Sequence, residues 1–198
     1  MPFLTTKPGI GEACLDALLA LMVAKIGDLN TMLALAPSIS LGVSVDSTFF
    51  HIGDPDTMPD SATSPFWISV VGGGRADGRD TEVEIKQSGP GYWYTIYHNL
   101  YFYLHPQFGP STDAFAQAAT RERLRARVCD WLLYDVFNNG MNYTVTLGSQ
   151  QMTNGTADTL DECRITDLTK GFVLKSFGTT QYVYMAHMVH RGRVYGGY

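Results

Sequence analysis

The stretch from Gly91 to His105, GYWYTIYHNLYFYLH, constrains the fold more than any other part of the chain. Read two residues at a time, it separates into two faces. Tyr94, Ile96, Leu100, Phe102 and Leu104 make an apolar face, interrupted by His98. Trp93, Thr95, Tyr97, Asn99, Tyr101 and Tyr103 make a second face, aromatic but tipped with polar atoms. Alternation carried by β-branched and aromatic residues specifies a strand. One face belongs against a core. The other is too aromatic for bare solvent and too polar-tipped for a dry interior, which suits a surface that meets another protein chain.

The bulk numbers fit that picture. A chain of 198 residues, 45% hydrophobic and 17% charged, can bury a sizeable core within one domain. We expect a single domain over 1–198, with loop or arm extensions at 51–65, 72–80, 148–162 and 190–198. Few charges and 12% aromatics suit a surface partly hidden in an assembly. The net charge of −5 is uneven. Residues 1–99 carry five Lys/Arg against eleven Asp/Glu, net −6, and residues 100–198 carry nine against eight, net +1. Such a chain lacks the basic face of a duplex-DNA binder. It remains compatible with a ring through which DNA passes. Cys14, Cys129 and Cys163 are odd in number, far apart and without a CxxC pair, so neither a zinc site nor a disulfide framework is indicated and free thiols are expected. The longest apolar run, Ala17 to Ala24, is too short for a bilayer span, and no secretory leader is expected.

In chain order, Ile10 to about Leu35 carries apolar residues at helical spacing. Cys14, Leu18, Leu21, Met22 and Lys25 stack first, then Leu29, Met32 and Leu33, with a break expected at Gly27–Asp28 and a stop at Pro37. Residues 38–50 alternate weakly, and the prolines and aspartates of 51–65 mark a loop. Strands are expected over 66–71, 81–87 and 92–104, as an antiparallel meander. The glycine-rich 72–80 between the first two is a hairpin tip, which places Arg75 and Arg79 for contact with a partner. A second amphipathic helix runs from Asp113 to about Asn138. Its expected stripe is Phe115, Ala119, Leu124, Val128, Trp131, Leu132, Tyr134 and Val136. Arg121, Arg123, Arg125 and Arg127, with Glu122 among them, form a solvated or subunit-bridging face. Beyond it, strands are expected at 141–147, 164–169, 171–176 and 181–189, a polar loop over 148–161, and an exposed contact arm in the tail RVYGGY. The fold class is therefore α+β: an antiparallel or mixed sheet flanked by two long amphipathic helices, with additional C-terminal strands.

No catalytic motif stands out. His98 and His105 fall on opposite faces of their strand, as do His187 and His190, and no helical histidine pair occurs. Neither a nucleophile elbow nor a phosphate loop is present. Catalytic, metal and cofactor residues are left unassigned, and a non-enzymatic role is expected.

The order of these elements resembles the tail-terminator and neck (head-to-tail joining) proteins of tailed bacteriophages. A long helix is followed by a proline-rich loop entering the strand PFWISVV, two more strands and a second amphipathic helix; the likeness runs from about Ile10 to Leu147. The resemblance implies a structural virion protein, a subunit that closes into a homo-oligomeric ring, commonly a hexamer. Such a ring caps the tail tube, joins it to the head connector and lets DNA pass through its lumen without specific binding. The expected interface residues are Trp93, Tyr97, Tyr101, Tyr103, Arg121, Arg123, Arg127, Arg75 and Arg79. The alternatives are another tail subunit (tube or baseplate), a carbohydrate- or peptide-binding module using the tyrosine face, or an enzyme assembled from dispersed residues such as Asp135, His98 and His187.

Overall fold

A computed structural model describes residues 10–35, 44–53, 66–73, 83–88, 91–105, 114–137, 143–146, 159–169, 173–177 and 180–197. Side chains are described within 12–35, 44–53, 66–73, 86–87, 95–105 and 115–137, except that of Ala13. The fold is α+β.

Two N-terminal helices, α1 (Ile10–Ala24) and α2 (Ile26–Ala34), meet at a 41° bend. Their inner line is Cys14, Leu18, Met22, Leu29 and Leu33, all buried. The break falls at Lys25 rather than Gly27–Asp28, and Gly27 lies inside α2. The indole of Trp131 donates to the Lys25 carbonyl at 3.1 Å and ties this break to the end of α3. The same carbonyl accepts from the Leu29 amide at 3.3 Å, so it serves both the first turn of α2 and a donor from the distant helix.

A short helical turn at Ser47–Phe49 follows, capped by Asp46, whose carboxylate accepts from the Thr48 amide at 2.8 Å and hydroxyl at 2.6 Å. It leads into β1 (Phe50–Ile52). Asn30 ties this segment to α2: its side chain donates to the Val45 carbonyl at 2.8 Å and accepts from the Val45 amide at 2.9 Å.

The remaining strands are β2 (Phe66–Gly72), β3 (Val83–Ser88), β4 (Gly91–Leu104), β5 (Tyr143–Thr146), β6 (Thr159–Thr169), β7 (Val173–Phe177) and β8 (Thr180–Gly197). They join in the order β1-β2-β4-β8-β6-β5, with β3 also on β4 and β7 also on β8. β1 and β2 are parallel, and the other pairings are antiparallel. The expected meander is corrected in one respect. β2 pairs with residues 98–104 of β4 and β3 with 91–96, so the two short strands follow one another along β4 instead of pairing together. Length explains this: a 14-residue strand spans about 48 Å, room for both. β8 pairs with β4 from Gly91 to Leu104, with one irregularity at Phe102/Tyr103. Two further expectations shift. β6 starts at Thr159, inside the expected loop, and β8 carries the tail to Gly197 along β4, so that segment is strand rather than arm.

The helix α3 (Ala114–Asp130) runs into a wider turn at Trp131–Val136, where the Phe137 amide donates to the Leu132 carbonyl five residues back at 2.8 Å. In such a π-turn residues five apart align. Trp131 and Val136, and Leu132 with Phe137, are all buried accordingly. One core joins the inner lines of α1, α2 and α3 to Phe66, Ile68 and Val70 of β2 and Leu100, Phe102 and Leu104 of β4. Those strand residues pair directly across the ladder, Phe66 with Leu104, Ile68 with Phe102 and Val70 with Leu100. Gly53 (φ 89°) and Gly73 (φ 96°) end β1 and β2 in a backbone region that other residues seldom adopt.

Candidate interaction surfaces

The aromatic face of β4 is not the open surface its sequence suggests. Thr95, Tyr97 and Tyr103 are buried, with Tyr97 at 7% exposure and Tyr103 at 3%. Asn99 and Tyr101 are half-buried, and the side chain of Trp93 lies outside the described ones. β2 contributes Trp67 and Ser69 to the same face, opposite Tyr103 and Tyr101. Trp67 meets Tyr103 edge-on at 6.4 Å between ring centres and His51 at 4.3 Å, while Tyr101 and Tyr103 lie 6.1 Å apart. Edge-on and tilted pairs at these separations are favourable ring geometries. The Ser69 hydroxyl donates to the Gly53 carbonyl. Tyr97 and Tyr103 are thus corrected from docking residues to packed ones. Period two tells which side chains share a face, and says nothing of whether a second layer closes over it.

His98 sits on the helix-covered face of β4, fully buried, opposite Gly72 of β2 and His190 of β8. Burial lowers its pKa to about 4, so it is neutral at neutral pH. Burial also lowers the pKa of His51, with a hydrogen bond from its ring to the Thr48 backbone acting the other way. Along the ladder His98 lies opposite His190 and His187 opposite Tyr101, while Asp135 is exposed after α3. Among the described residues no three His, Cys, Asp or Glu side chains converge as metal ligands.

The arginines of α3 divide by role. Arg125 donates to Glu122 from two nitrogens, at 2.8 and 3.1 Å, and lies 3.9 Å from the Cys129 sulfur. The Glu122 hydrogen bond is the main reason its pKa is raised. Burial pushes the Cys129 thiol up to about 11 against the opposing pull of Arg125, so no thiolate forms at neutral pH. Arg127 donates to the Met32 carbonyl at 3.3 Å and fastens α3 to α2. Arg121 is half-buried and Arg123 exposed, while Arg75 and Arg79 lie outside the described residues.

What the sequence reading missed is the outer side of α3. Phe115 is 87% exposed, Tyr134 is 54% exposed, and Ala119 is exposed, although all three were expected in the stripe. Helical geometry accounts for Phe115. It lies nine residues before buried Leu124, two and a half turns, and so on the opposite side of the helix. Stepping back four from Leu124 reaches Thr120, which is buried and donates to the Ala116 carbonyl at 2.9 Å. Leu35, at the end of α2, is 77% exposed. No single described helix is long and apolar enough to cross a membrane. Together α1 and α2 are long and apolar enough, as a pair bent by 41° whose inner line packs in the core. No protein-family model and no curated protein matches the chain.

Proposed function

We propose that this chain is a structural virion protein of a tailed bacteriophage, a ring-forming tail-terminator or neck subunit. In this reading it caps the tail tube, joins it to the head connector and leaves a lumen through which DNA passes. Its finer architecture is a sheet flanked by two long amphipathic helical segments, α1–α2 and α3, with β6–β8 added beyond the resemblance. The chain acts as a building element in the virion and not as an enzyme. The observation that carries the reading is the exposure of large apolar side chains, Phe115 and Leu35 foremost, on the helical layer of an α+β chain with this order of elements. An aromatic ring left almost wholly in solvent offers a large apolar area to a partner.

Negative-stain electron microscopy of the purified protein tests this directly. Closed rings with a central opening are expected, alone or after addition of tail tubes. Particles the size of one chain under every condition, with no attachment to tube ends, would overturn it.

A further inference from the structure

Two outward lines of side chains on the helical layer match each other. On α3, Phe115, Ala119 and Arg123 are exposed and four residues apart, so they stack along one line. On α1, Glu12, Asp16, Ala20 and Ala24 are exposed at the same spacing. Phe115 to Arg123 and Ala24 to Asp16 are each eight residues, about 12 Å of helix. Laid against one another, the α3 line presents a ring, a methyl and a cation, and the α1 line two methyls and a carboxylate. Among the described residues, neither Arg123 nor Asp16 has an ion pair within the chain.

We propose that the Phe115–Ala119–Arg123 line docks on the Ala24–Ala20–Asp16 line of a second copy of this chain. Phe115 covers the two alanines, and Arg123 pairs with Asp16. A second copy is the occupant because one chain carries both lines, opposite in charge and equal in spacing. An aromatic anchor over small side chains supplies the buried contact, and the ion pair sets its register. The two surfaces differ, so the contact is head-to-tail, and each copy offers one of each. Such contacts propagate, closing into a ring where the rotation allows. The inference rests on the ring-subunit reading and names the faces that would build the ring.

Sedimentation velocity over a concentration series tests it, with thermal unfolding as the check on folding. Phe115→Ala is expected to weaken association about 30-fold or more. Arg123→Asp and Asp16→Arg are each expected to weaken it at least ~10-fold, and the two together to restore it within ~3-fold, since the pair re-forms with its signs exchanged. All these positions are exposed, so unfolding temperatures should hold. Single variants that weaken association without rescue in the double variant would overturn the pairing. A wild-type oligomer indifferent to all four variants would overturn these faces while leaving the ring reading intact. A wild-type monomer at every concentration would overturn both.

Discussion

The two ends of α3 do different work. From Leu124 to Phe137 the helix and its π-turn are committed inward, with Leu124, Val128, Trp131, Leu132, Val136 and Phe137 all buried. From Phe115 to Ala119 the same helix leaves an aromatic ring and three alanines in solvent. Folding consumes most of the C-terminal end, Tyr134 apart, whereas the N-terminal end contributes little to it. A helix needs only one continuous apolar stripe to be held in a core. Under the ring-subunit proposal, the apolar residues off that stripe belong to association.

The largest contrast is expected between Trp131 and Phe115. Trp131→Ala removes a fully buried ring and the donor to Lys25, and should cost about 3–5 kcal/mol in denaturant unfolding. Equal losses at the two positions would break the comparison. His98 should give the next effect, through pH. Its folded pKa of about 4 lies below its ordinary 6.5, so the unfolded chain takes up the proton first. Stability is therefore full above pH 6.5 and is lost as pH falls towards 4, by on the order of 3 kcal/mol. His98→Gln should flatten that slope in urea titrations at stepped pH; an unchanged slope would place the titration elsewhere. Asn30→Ala strips both backbone partners from buried Val45 and should cost about 2 kcal/mol. Arg127→Ala loses one bond to α2 and should cost about 1 kcal/mol in the same assay. Phe115→Ala should change unfolding by no more than ~0.5 kcal/mol.

Some of this was legible in the sequence. Residue type in PFWISVV identified β2, and alternation in the 91–105 stretch identified β4 and its apolar face, because period two is a local property of the chain. The inner line of α1 and α2 was legible for the same reason. What escaped is non-local. The tie between the bend at Lys25 and Trp131 spans 106 residues. The closure of the aromatic face depends on Trp67 arriving opposite Tyr103, and the sharing of one edge of β4 depends on relative strand lengths. Phe115 escaped for a different reason: counting turns back from Leu124 would have placed it outside. At the interaction surface, the sequence drew the eye to tyrosines that the fold packs away, and Arg123 alone among the described candidate arginines is exposed.

The absolute mass of the protein in solution, by light scattering across a concentration series, tests the central claim most directly. The ring-subunit account predicts a plateau at a whole-number multiple of the single-chain mass, six in the expected ring, held over a wide concentration range. A single-chain mass at every concentration, unchanged by added tail tubes, would contradict it.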